Sequence, residues 1–107
     1  MEDVTIGRMY DGTKFIITKR RWIHVLDHHH ELSDSLDIII EAVGNPDEVY
    51  VDPRGIYHIL KRARKYSDYL VVICRKHEEK TYLTTAYYTS SKRKERRYRK
   101  YTKQKLY

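Results

Sequence analysis

The chain switches between two spacings of apolar and polar residues, and each switch marks an element. Residues 4–10 (VTIGRMY) and 14–17 (KFII) are β-rich runs. Between them, Asp11-Gly12 suits the positive φ values of a tight type I′ turn, so the two runs predict a hairpin. Trp22, Val25, Leu26, His29 and Leu32 then recur at i, i+3, i+4 and i+7, the period of a helix with one apolar face. Thr18 stands where its cap belongs. SLDIIIEAV (35–43) predicts a second helix, capped by Ser33 or Asp34. Gly44 is expected to end it in the left-handed conformation before Asn45-Pro46 turns the chain extended.

From residue 48 the spacing shortens. EVYVD reads as a short strand and Pro53-Arg54-Gly55 as a turn. IYHILKRARKY (56–66) fits an amphipathic helix or a strand, and the strand is preferred here. YLVVICR (69–75) is apolar enough for a strand buried on both faces. KTYLTTAYYT, rich in Thr and Tyr, follows as its hairpin partner across the charged turn HEEK. Ser90-Ser91 can cap whatever comes next. The expected architecture is α+β: two N-terminal helices packed on an antiparallel sheet of about four strands, with a basic C-terminal extension, helical or partly disordered.

Composition changes this picture in three ways. The 107 residues suffice for one domain with a modest core. The lone Cys74 lies in an apolar run, so a disulfide framework is excluded and a reducing, cytoplasmic setting is expected. No run reaches the roughly 18 apolar residues of a membrane span, and MEDVTIG lacks the pattern of a signal peptide, so no membrane partner is expected. The net charge of +7 is concentrated at the end of the chain: residues 92–105 hold nine Lys/Arg and one acid. Tyr98, Tyr101 and Tyr107 interleave with those cations, a composition that neutralises phosphates and stacks on unpaired bases, which makes nucleic acid the leading partner. Charged residues make up 35% of the chain, with Asn45 and Gln104 its only side-chain amides, a usage seen in heat-adapted proteins.

Candidate chemistry centres on WIHVLDHHHEL (22–32). A helical wheel puts Arg20, His24, Asp27, His28 and Glu31 opposite the apolar stripe. The i, i+4 pair His24 and His28 could share a divalent metal with Glu31 or Asp27, a metal-dependent hydrolase reading. His29 falls in the stripe, where a core histidine bonded to a backbone carbonyl is the plain alternative. Metal-free RNA cleavage uses the same inventory without a cofactor. Histidines serve as base and acid because they titrate near neutrality. Cations and hydroxyls stabilise the phosphorane, and here Arg20, Arg21, Arg75, Lys76, Thr84, Thr85, Tyr87 and Tyr88 supply them. A third reading is a non-catalytic RNA-binding module built on the sheet tyrosines and the basic tail.

WIHVLDHHHEL, IIIEAVGNPDEVYVD, YLVVICR and YLTTAYYT, in that order, resemble the phage-type branch of the barnase, EndoU, colicin and RelE-like ribonuclease superfamily. Its helix motif H-[IV]-x-x-x-H-P-E is matched by His24-Val25, His29 and Glu31, with His30 in place of the proline. Its N-P-D turn is matched by Asn45-Pro46-Asp47, and its T-A-Y strand end by Thr85-Ala86-Tyr87. The resemblance spans about residues 19–90. It implies one such domain over 1–91, with two helices on a curved antiparallel sheet, and a tail over 92–107. It also implies a toxin-like or mobile-element-associated endoribonuclease that needs no metal and leaves a 2′,3′-cyclic phosphate, with an antitoxin or inhibitor protein as a second partner. On this reading His24 is the base and His29 or His28 the acid, while Thr85 and Tyr87 hold the scissile phosphate. Arg20, Arg21, Arg75, Lys76, Lys92, Arg93 and Arg96 would then bind flanking phosphates.

Overall fold

The computed structural model describes residues 3–104, with side chains described through Tyr101. Tyr107, one of the expected base-stacking tyrosines, lies outside them. The chain forms β1 (Asp3–Arg8), β2 (Lys14–Thr18), α1 (Lys19–His28), a 3-10 turn (His30–Asp34) and α2 (Leu36–Gly44). It continues with β3 (Glu48–Val51), β4 (Tyr57–Arg62), β5 (Tyr69–His77), β6 (Lys80–Thr89), α3 (Ser91–Tyr98) and a second 3-10 turn (Arg99–Gln104). No helix among the described residues is long and apolar enough to cross a membrane.

The expected two-helix, four-strand antiparallel architecture is not what forms. All six strands join one sheet in the order β1-β2-β6-β5-β4-β3. The sheet is mixed, because β2 runs parallel to β6 through Lys14↔Lys80, Phe15↔Thr81 and Ile16↔Tyr82. A third helix, α3, packs on it as well. Two cores explain the difference. On one face, Trp22 and Val25 of α1 and Ile39, Ala42 and Val43 of α2 bury Phe15, Ile17, Val72, Leu83 and Ala86. The hairpin's apolar residues belong to this core, so the hairpin must lie in the sheet and cannot stand beside it. On the other face, Tyr98 of α3 packs with Tyr50, Leu60, Tyr69, Val71 and Ile73, leaving Tyr98 2% exposed. The start of the basic segment is therefore part of a three-layered fold.

Local differences have local causes. The first hairpin does not close with a two-residue type I′ turn. Met9 N–H donates to Thr13 O and Gly12 N–H to Met9 O, and Gly12 alone in the loop has positive φ (91°). This is the three-residue loop of a type I turn followed by a left-handed glycine. Thr18 caps α1 as expected, accepting from Arg21 N–H at 3.2 Å. The helix stops at His28, however, because His29 leaves helical geometry (φ −140°). Ser35 is the N-cap of α2, and its hydroxyl bonds Tyr88 Oη at 3.1 Å instead of capping the helix. Gly44 does not adopt the left-handed conformation. It is needed for close packing, since a Cβ there would sit 3.2 Å from Arg8 O.

A buried polar cluster ties α3 to the sheet. His58 on β4 is 1% exposed. Its Nε2 bonds Asp52 Oδ2 at 3.0 Å and its Nδ1 bonds Tyr98 Oη at 2.9 Å. Burial pushes the imidazole below its ordinary pKa, against the pull of Asp52. Burial alone would raise Asp52, yet hydrogen bonds from His58, Ile56 N–H and Arg54 outweigh it and hold the carboxyl well below the usual range. Both shifts make acid destabilising. As pH drops below about 6.5 the unfolded chain protonates His58 before the folded protein does, and below about 3.9 the same holds for Asp52. Denaturant midpoints should therefore fall in two stages on acidification. A midpoint flat between about pH 7 and 4 would refute this.

Candidate functional site

A cleft opens where the parallel pair splits. Past Ile16↔Tyr82, β2 turns into α1, so beyond Tyr82 the neighbour of β6 is the first turn of a helix. On β6, Thr84 is an extra residue, because Ile73 pairs with Thr85 while Cys74 pairs with Leu83. Such a bulge locally bends and twists a strand. On β5, Arg75 and His77 follow Ile73 at two-residue spacing and share its face, with Tyr82 paired opposite Arg75. Together these elements enclose about 610 Å³. Arg20, Arg21 and His24 come from α1, Arg75 and His77 from β5, and Tyr82 and Thr84 from β6, with Thr18 at the rim. Three guanidiniums and two imidazoles line the cleft, and no carboxylate does. The start of α1 adds to the positive field, as helix N-termini do toward anions.

Of the residues expected to act, the cleft gathers His24, Arg20, Arg21 and Arg75. The His28 ring lies against that of His24, tilted by 45° with centroids 4.6 Å apart, and donates from Nδ1 to His24 O at 3.0 Å. His29 leaves the apolar stripe as the helix ends. Its ring lies 6.1 Å from that of Tyr87, and its Nδ1 lies 3.6 Å from Glu31 Oε1. His24 and His29 thus address different parts of β6. Thr85 and Tyr87 pair with Ile73 and Val71, which places both on the face that carries α3. Lys76 points to the opposite face, where it pairs with Asp11 and lies over the Tyr57 ring at 5.0 Å. Arg93 lines a second groove, whereas Lys92 and Arg96 are exposed outside both.

Comparison of the chain with family models, with curated proteins and with solved structures yields no match in any of the three.

Sequence reasoning missed His77 by assigning HEEK wholly to a turn. The signal was present. Extending the two-residue alternation of YLVVICR past Arg75 puts His77 on the same face. Among the described residues no group of three or more His, Cys, Asp and Glu converges as a metal site. The bonded Nδ1 of His28 is also committed to the backbone. What the cleft can offer a phosphodiester is three guanidiniums and two imidazoles in one lining.

Proposed function

We propose that the protein is a metal-independent endoribonuclease acting in this cleft. The convergence of His24 and His77 with Arg20, Arg21 and Arg75 supports that reading. Histidine is the side chain suited to both proton transfers near neutral pH. His24 takes the proton from a ribose 2′-OH, and the 2′-oxygen attacks the adjacent phosphorus. His77 gives a proton to the departing 5′-oxygen. The products are a 2′,3′-cyclic phosphate and a 5′-hydroxyl. Arg20, Arg21, Arg75 and the α1 N-terminus stabilise the extra charge on the phosphorane, a role that fixed donors perform without reorganising. The His24-Val25 and Thr85-Ala86-Tyr87 motifs of the ribonuclease resemblance support the same reaction class. His77 takes the acid role that the motif alone gives to His29 or His28.

The test is RNA incubated with the purified protein in EDTA, with product ends analysed. Cleavage should persist under chelation and leave cyclic phosphates, and affinity should fall with salt by a log–log slope of about −0.7 per phosphate engaged. Binding with that salt slope but no cleavage would leave a non-catalytic RNA-binding module. Affinity indifferent to salt would count against both readings.

A further inference from the structure

A second basic groove, of about 250 Å³, lies between β6 and α3. Its walls are Arg93 and Arg97 from α3 and Tyr87, Tyr88 and Thr89 from β6, with Tyr98 at the base. Arg93 and Arg97 are i, i+4 neighbours and so project from one face of the helix. No carboxylate lines the groove. Lys94, also at the groove, is engaged elsewhere, bonding Glu48 at 2.7 Å and lying over the Tyr69 ring at 5.2 Å. The two arginines make no ion pair with an acid among the described residues, and Arg97 lies 5.8 Å from the Tyr98 ring centre. The groove is rigidly built, because Tyr98 is held by His58 and stacks on Tyr50 at 4.9 Å between centroids.

Its position relative to the cleft is informative. Tyr82 belongs to the cleft and Tyr87 to the groove, and both lie on the sheet face that carries α3, with Thr85 between them on that face. Five strand residues at about 3.4 Å each separate the two sites by roughly 17 Å, less the local shortening at the bulge. A single-stranded chain of a few nucleotides covers that distance, and its backbone carries a negative charge at every step.

We infer that the groove between β6 and α3 is a second phosphodiester subsite, in which Arg93 and Arg97 hold the RNA backbone a few nucleotides from the bond in the cleft. Contacts from arginines to phosphates carry no sequence information, so the groove grips backbone without reading sequence. This inference rests on the RNA reading above and adds a length requirement to it: short substrates reach one site, longer ones both.

The test uses the full chain and 2′-O-methyl RNA oligonucleotides, which lack the attacking hydroxyl and stay intact. Binding of a dinucleotide and of a ten-mer is measured for the parent protein, for Arg93→Ala/Arg97→Ala and for Arg20→Ala/Arg75→Ala. All four arginines are exposed, and unchanged thermal unfolding checks each variant. The α3 double variant should bind the ten-mer at least about tenfold more weakly, with a shallower salt slope, and the dinucleotide as the parent does. The cleft double variant should lose both. Equal ten-mer affinity for parent and α3 variant, with binding lost in the cleft variant, would overturn the subsite and leave the cleft reading standing. A parent protein that binds neither oligonucleotide would overturn both.

Discussion

His24→Ala and His77→Ala should each slow RNA cleavage by about 10²–10⁴-fold, the usual worth of a positioned general acid or base. Neither change should disturb folding, since both side chains are exposed and neither packs in a core. Because the two histidines act on one transition state, the double variant should be scarcely slower than the worse single one. The pH–rate profile separates their roles. A base must be unprotonated, so His24→Ala should remove the acid limb of the profile. An acid must be protonated, so His77→Ala should remove the alkaline limb. His29→Ala is the informative comparison: it should change the rate by less than tenfold, because its ring faces Tyr87 and Glu31, outside the cleft. If His29→Ala loses the alkaline limb and His77→Ala does not, the acid has been misassigned. If all three keep the parent rate, the protein is no histidine-dependent nuclease.

The second large effect is expected far from the cleft. Asp52→Ala should destabilise the fold by about 2–6 kcal/mol, since two buried donors are left unsatisfied at about 1–3 kcal/mol each. The Asp52 side chain accepts from Arg54 N–H at 2.9 Å, Ile56 N–H at 3.2 Å, Arg54 Nη2 at 3.0 Å and His58 Nε2 at 3.0 Å. Alanine leaves the buried Ile56 and His58 donors without a partner, which costs more than a hydrogen bond gains. Tyr98→Phe, which removes one neutral hydroxyl and keeps the ring stacked, should cost only about 1 kcal/mol. Urea unfolding followed by tryptophan fluorescence and by far-UV circular dichroism measures both, through the midpoint at constant m-value. An Asp52→Ala loss below that of Tyr98→Phe would mean that Asp52 does not hold the cluster together.

Elements were legible in the sequence wherever burial imposes a period. Trp22 and Val25 sit in the core as their spacing requires, and residues 69–74 of the expected run form a strand buried on both faces, with Arg75 exposed beyond them. Neighbours were less legible. Alternation assigns Phe15 and Ile17 to a sheet face but does not say that β2 lies beside β6, let alone parallel to it. That contact is made over three residue pairs between segments more than 60 positions apart. The bulge at Thr84 was equally hidden. An uninterrupted alternation would place Leu83, Thr85 and Tyr87 on one face, whereas Leu83 lies in the core with α1 and Tyr87 packs against the opposite one. The tail misled for a different reason. In KRKERRYRK (92–100) a single tyrosine among cations shows no apolar stripe, so burial of Tyr98 depends on the hollow made by Tyr50, Tyr69 and His58. A local pattern cannot reveal that hollow.

The fork between β2 and β6 also sets the order in which the molecule matures. Residues 18–24 supply one wall of the cleft and residues 75–84 the other, so α1 can coil early without forming the cleft. Closing so long a stretch of chain is slow compared with local helix formation. During synthesis, a chain that has not yet emerged past about residue 84 has Arg20, Arg21 and His24 but nothing opposite them. The cleft is therefore complete only when the last strand has docked.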